Sequence, residues 1–187
     1  MTEGLIGEIC NGAHEGQLAE DENGKIAYIC KSMSIFNNVC FRIFTTTDCG
    51  RTWTVVGNTD VLDTDNQPTG DKIFSEIANT PIDRVKPSIA YSEYMHRWFI
   101  SYSNHTNRGC PAIRYADSIP DNPTEAIWKT FDVCDFSTQS AGYTNLISID
   151  KGTSIGIIYE SHLDSCPNSA HNSKSFGYNS YSFLPKK

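Results

Sequence analysis

The sequence lacks several features that would assign it to common functional classes. It has no cluster of basic residues: 15 Lys and Arg stand against 22 Asp and Glu over 187 residues, a formal net charge of -7. Nucleic acids are gripped through clustered cations, so no nucleic-acid partner is expected. The same acidic field repels anionic ligands, so an acidic ligand would have to be met by a local cationic pocket. No run approaches about 18 apolar residues, so no membrane-spanning helix and no membrane insertion are expected. Residues Met1 to Ile9 have neither the basic flank nor the apolar stretch of a secretory signal. Either the protein is not exported by that route or the chain starts inside a longer one.

The seven cysteines (Cys10, Cys30, Cys40, Cys49, Cys110, Cys134 and Cys166) form no C-x-x-C pair. That argues against structural zinc and against thioredoxin-type chemistry. Their number is odd and their density well below that of disulfide-held mini-proteins, so buried free thiols are expected. A disulfide between Cys30 and Cys40, on neighbouring predicted strands, stays open. His14, His105, His162 and His171 show no metal-ligand spacing. Asp60, Asp63, Asp65 and Asp71 lack the twelve-residue calcium loop with its terminal Glu. No metal and no cofactor are expected. Asn104-His-Thr106 is a glycosylation sequon, meaningful only in a eukaryotic secretory setting.

Helical periodicity is also missing; what is present is strand-like. Apolar runs at Lys25–Lys31, Val39–Phe44, Trp53–Val56, Pro87–Tyr91, Trp98–Ser103, Ala112–Ala116, Tyr143–Ile149, Ser154–Tyr159 and Phe176–Phe183 are separated by turn signals such as Asn23-Gly24 and Asp150-Lys-Gly152. Trp98, Ile100 and Tyr102 alternate with Phe99, Ser101 and Ser103, which predicts a half-buried strand. Short strands at this spacing predict an all-β sandwich, barrel or propeller. The strands fall into three groups, about 15–57, 85–132 and 140–183, each with the length of a propeller blade. Residues 58–84 are polar, with only Lys72–Ile77 expected to be ordered, and read as a long inter-blade connection.

Thr46-Thr-Asp48-Cys-Gly50-Arg-Thr52-Trp53 matches the pattern S/T-x-D-x-G-x-T-W, and resembles an Asp box. Its chemistry is structural. Asp48 can bond the backbone of its own turn, Gly50 permits a positive φ, and Trp53 can pack under the hairpin between the third and fourth strands of a blade. A degenerate counterpart is Ala116-Asp-Ser118, followed by Trp128.

Three further segments, in order, resemble the second half of a sialidase propeller. His14-Glu15-Gly-Gln17-Leu-Ala-Glu20 with the following strand to Lys31 is similar to the N-E-x-Q run of that family. Tyr102-Ser-Asn104-His-Thr-Asn-Arg108 resembles the segment that bears the last arginine of the substrate-binding triad. Gly142-Tyr143-Thr-Asn-Leu146 and Ile155-Gly-Ile-Ile-Tyr-Glu160 resemble the closing Y-S-x-L and I-G-x-L-Y-E signatures. The resemblance implies one half-propeller domain over residues 1–187, within a ring of about six blades. It implies a tyrosine nucleophile, an exception to the two-carboxylate scheme of most glycosidases. Tyr143 matches the nucleophile and Glu15 the base that takes its proton. Arg108 matches a cation that clamps the sialic acid carboxylate, and Glu160 the carboxylate that steadies the first triad arginine.

Two departures accompany the resemblance. Lys31 stands where the second triad arginine is expected, keeping the charge but losing the bidentate fork. Arg42 is close in sequence but lies on a different predicted strand. The half of the family's domain that carries the first arginine and the acid/base aspartate has no counterpart here. The expected function is therefore an exo-α-sialidase or its C-terminal half. The alternative is a non-catalytic glycan-binding or structural propeller, such as a receptor-binding or fibre component. A lectin-like sandwich is a third option. Expected partners are a sialylated glycan or other acidic sugar, and a second propeller half or further copies of the chain. An extracellular or cell-surface setting would follow.

Overall fold

The computed structural model describes residues 14–33, 39–58, 86–103, 111–121, 127–133, 140–162 and 174–183. Arg108, the segment 59–85 with its aspartates and Lys72–Ile77, the sequon, and Cys10, Cys110, Cys134 and Cys166 lie outside the described residues.

Among the described residues the protein is all-β and forms three antiparallel sheets. The first sheet runs β1 (His14–Glu20), β2 (Ile26–Met33), β3 (Val39–Thr46) and β4 (Thr54–Asn58). The second runs β5 (Ser88–Ser92), β6 (Arg97–Ser103), β7 (Pro111–Ala116) and β8 (Lys129–Val133). The third holds three strands rather than four: β9 (Ser140–Ile149), β10 (Ser154–His162) and β11 (Lys174–Ser182). In each, strands follow in chain order, so every pairing is a hairpin neighbour. No helix among the described residues is long and apolar enough to cross a membrane.

The sheets stack face to face. Ala27, Ile29, Phe41, Ile43 and Val56 of the first sheet pack on Ile89, Trp98, Ile100, Tyr102 and Ala112 of the second. The other face of the second sheet, through Ala90, Phe99 and Ile113, packs on Leu146, Ile155 and Ile157 of the third. The second sheet is thus covered on both sides. This corrects the half-buried expectation for β6: both its alternating sets of side chains are buried, including Ser101 and Ser103. A strand sandwiched between two layers loses its solvent face. Among the described residues, Leu18 and Val55 are exposed on the outer face of the first sheet, and Ile147, Ile158 and Tyr178 on that of the third.

The first strands β1, β5 and β9 lie against one another, so the sheets fan out from a common spine as propeller blades do. Each is the edge strand of its sheet and carries main-chain groups without a ladder partner. Gln17 of β1 meets this need. Its Nε2 donates to the carbonyls of Ile89 on β5 and Leu146 on β9, both at 3.0 Å. Its Oε1 accepts from the Ser88 hydroxyl at 2.5 Å, and Ser88 Oγ accepts from the Leu146 amide at 2.6 Å. One carboxamide therefore ties all three sheets.

A second tie joins the later sheets. The turn Asp150–Gly152 has three positive φ angles, 47°, 55° and 82°. The Gly152 carbonyl accepts from Ser92 Oγ at 2.6 Å. A Cβ at Gly152 would lie 2.4 Å from Ser92 Cα, so only glycine fits.

The turn between β3 and β4 is closed by Asp48. Its carboxylate accepts from the Thr52 amide (2.9 Å), the Thr52 hydroxyl (2.6 Å) and the Thr46 hydroxyl (2.7 Å), while Trp53 Nε1 donates to the Gly50 carbonyl at 3.0 Å. These bonds hold the Asp48 carboxyl far below its ordinary range, foremost the one from the Thr52 hydroxyl. The degenerate counterpart is built differently. Asp117 is held between Arg97 and Lys129, each at 2.7 Å, and Trp128 is buried in the core. Cys30 faces Arg42 across the ladder and Cys40 faces Ser32, so the two cysteines are not cross-strand partners. Cys30 is a buried thiol packed with Phe44, and Cys49 an exposed one.

Replacing Gln17 by Leu leaves two edge carbonyls and the Ser88 hydroxyl to find other partners. It is expected to cost about 2–4 kcal/mol in urea unfolding with an unchanged m value; a loss below about 0.5 kcal/mol would show that the tie is dispensable. Gly152→Ala is expected to lower stability by about 2–4 kcal/mol, from backbone strain plus overpacking. Gly24→Ala, whose φ is 79° but whose Cβ would meet nothing closer than 3.9 Å, is expected to cost only about 1 kcal/mol. Equal losses would count against the Ser92 contact.

Candidate active site

Glu15 sits at an irregularity in β1. The β1–β2 register shifts between His14 and Gly16, and Glu15 has φ 55°, a strained value for a residue with a side chain. Bulges re-aim a side chain. Here the following residue is glycine, and a Cβ at Gly16 would fall 2.5 Å from the end of the Tyr28 ring, which would have to move.

Three groups from three other strands or strand ends converge on the Glu15 carboxylate. The Tyr143 hydroxyl, on β9, donates to Oε1 at 2.7 Å. Lys31 Nζ, on β2, is 3.3 Å from Oε2. The Lys86 amide, just before β5, donates to Oε2 at 3.3 Å. Burial pushes the Glu15 carboxyl up, but the hydrogen bonds from Tyr143, the Lys86 amide and Lys31, with the Lys31 charge, outweigh it and hold it below the ordinary glutamate range. Near neutral pH Glu15 is a carboxylate already bonded to a phenol proton, the arrangement a base needs to activate an oxygen nucleophile.

Beside this group lies a cleft of about 180 Å³, lined by Lys86, Tyr143, Thr144, Asn145, Ile158, Tyr159 and Glu160. Tyr143 and Glu160, both singled out in the sequence, therefore share one cavity. Lys31 is brought to the same centre, but its ammonium is spent on Glu15. Arg42 lies across from Cys30, one residue out of step with Lys31, and so belongs to the other face of the first sheet. Arg108 lies outside the described residues. Thr46, Asp48, Gly50, Thr52 and Trp53 close their turn and do not line the cleft.

Lys86 carries no sequence signal of its own, and Thr144 is marked only as part of the Tyr143-to-Leu146 run that resembles a closing signature. Lys86 stands 71 residues from Glu15, and nothing local marks it. Thr144 is buried and accepts from Ser101 Oγ at 2.9 Å while facing the Lys86 carbonyl at 3.5 Å. Only the meeting of the spine strands reveals either as part of the centre. Gln17 was legible as part of the N-E-x-Q run, though not as a tie between sheets.

No family model matches the chain, and no curated protein matches it. Solved structures do. A GH43_12 protein retrieved from capybara gut metagenome is similar over 91% of this chain and 28% of its own, with 14% identity and a TM-score of 0.55. The Penicillium chrysogenum α-L-arabinanase complexed with arabinobiose is similar over 92% of this chain and 46% of its own, with 15% identity and a TM-score of 0.55. The Coprinopsis cinerea GH62 α-L-arabinofuranosidase catalytic domain is similar over 94% and 48%, with 11% identity and a TM-score of 0.51. The chain thus spans less than half the length of these structures. They are β-propeller glycoside hydrolases, and the likeness shows that fold for this chain. They are not sialidases, so the finer resemblance drawn from the sequence has no support from these neighbours.

A depressed carboxyl stabilises the fold above its unfolded-state pKa and loses that contribution as pH falls through its folded value. Tyr143→Phe removes the largest of the hydrogen bonds that lower Glu15. Carboxyl NMR titration is expected to place Glu15 higher in the variant, and acid unfolding to depend less steeply on pH. An unmoved Glu15 titration would show that the phenol does not bond the carboxylate in solution.

Proposed function

We propose that the chain carries the nucleophile half of a sialidase-type glycoside hydrolase site, acting on terminal sialic acids of glycans. The observation that carries this reading is the 2.7 Å hydrogen bond from the Tyr143 hydroxyl to Glu15. In the reaction, the Tyr143 oxygen forms a bond to the anomeric carbon as its proton passes to Glu15. The glycosidic carbon–oxygen bond breaks, and the leaving oxygen takes a proton from a general acid not assigned to any described residue. The general acid, now deprotonated, then takes a proton from water as the water oxygen bonds to the anomeric carbon, and Glu15 returns its proton to the departing Tyr143 oxygen. A phenol suits a substrate whose carboxylate is attached to the reacting carbon, because an anionic nucleophile would be repelled there. The propeller glycosidase fold supports a sugar ligand, and the bond pattern around Asp48 supports an Asp box.

Ring completion belongs to the same reading. The outer faces bearing Leu18 and Val55, and Ile147, Ile158 and Tyr178, would pack on further blades, from a longer chain, a separate half, or a second copy. Such blades would supply the acid and further cations.

One observation favours a second reading, a non-catalytic glycan-binding propeller. Lys31 lies 3.3 Å from the base, which steadies Glu15 as an anion and makes it a weaker proton acceptor. A fluorogenic sialoside separates the two. Turnover by the chain is expected to fall about a hundredfold or more in Tyr143→Phe. Turnover that survives the substitution would sink the nucleophile assignment. Sialoside binding without turnover, persisting when the blades that complete the ring are present, would favour the second reading.

A further inference from the structure

We propose that Lys86 is the specificity-determining cation of the cleft, binding the carboxylate of an acidic sugar in place of Lys31. The inference rests on the reading of this cleft as a glycan site. An acidic ligand approaching a chain of net charge -7 needs a cation within the site itself. The sequence nominates Lys31, but the fold turns that ammonium onto Glu15 at 3.3 Å. Lys25 is likewise engaged by Asp121, and Arg97 and Lys129 by Asp117. Among the described residues, Lys86 is the one basic residue lining the cleft.

Its backbone is held on both sides. The amide donates to Glu15 on β1, and the carbonyl faces the Thr144 hydroxyl on β9 at 3.5 Å. Pro87 follows directly, restricting Lys86 to extended conformations. The side chain therefore starts from a fixed point beside Tyr143. An ammonium there can meet a carboxylate while the phenol faces the adjacent anomeric carbon. It supplies a point charge rather than a planar fork, so it selects for charge more than for orientation. A neutral pentose, which offers no anion, gains nothing from it.

The test measures binding of N-acetylneuraminic acid and of arabinose to the intact chain, and to Lys86→Met and Lys86→Arg, at low and high salt. Affinity of the unsubstituted chain for the acid is expected to weaken with salt. Lys86→Met is expected to lose about 10–100-fold of that affinity together with its salt dependence. Lys86→Arg should retain both, and arabinose should be indifferent to either change. Acid binding that survives Lys86→Met would overturn the role of Lys86 and leave the reading of the site intact. An equal loss for acid and pentose would show that Lys86 only supports the cleft wall, and would overturn the proposal. If the unsubstituted chain binds no acidic sugar, the reading of the site fails and Lys86 fails with it.

Discussion

The Gln17 carboxamide is the point on which the rest of the molecule depends. Three edge strands meet at the spine, and each brings main-chain groups that its own sheet cannot satisfy. Water or a further strand could answer them, but a single side-chain amide does so here, with two donors and one acceptor used at once. Shape alone would let the sheets slide along one another, because apolar faces are tolerant of small shifts. Hydrogen bonds with fixed distances are not, so the tie sets the relative height of the three strands.

That height decides the chemistry. Glu15, Lys86 and Tyr143 each lie two or three residues before a member of the tie: Gln17, Ser88 and Leu146. The spine strands are the first of their sheets and enter from the same end. Locking their register therefore brings three residues that are distant in sequence to one point, where the phenol, the ammonium of Lys31 and the Lys86 amide share one carboxylate. The strained φ of Glu15 is held there by its neighbours rather than by its own preference.

Electrostatics then sorts the cations. The chain is acidic, and Lys25, Lys31, Arg97 and Lys129 are each paired with a nearby carboxylate. Lys31, the cation the sequence nominates for a ligand, instead lies 3.3 Å from the Glu15 carboxylate. Such a pair keeps Glu15 ionised and fixed, which helps to position it and lowers its appetite for a proton. The proposed recognition of an acidic sugar therefore rests on a different lysine, Lys86, placed by the start of the second sheet.

Strand content was legible because alternation and turn residues act locally: Asn23-Gly24, Asp150-Lys-Gly152 and the runs of Val39 and Ser154 all lie within a few residues of their cause. β1 escaped that logic. Its side chains are polar because they cross the spine, so it lacks the apolar pattern of a strand that packs on one face. β6 misled in the opposite sense, since its serines suggest a wet face that the third sheet in fact covers. The pairing of Tyr143 with Glu15 was accessible only through resemblance, and Lys86 through nothing in the sequence. The amino-acid order by itself determined an all-β chain of three hairpin groups with an acidic surface, because those properties depend on nearest neighbours and on composition. Tertiary structure alone decided that Glu15 has three partners, that Lys31 is occupied and that Lys86 lines the cleft. Those facts depend on the register between sheets, which is set by contacts 58 to 129 residues apart along the chain.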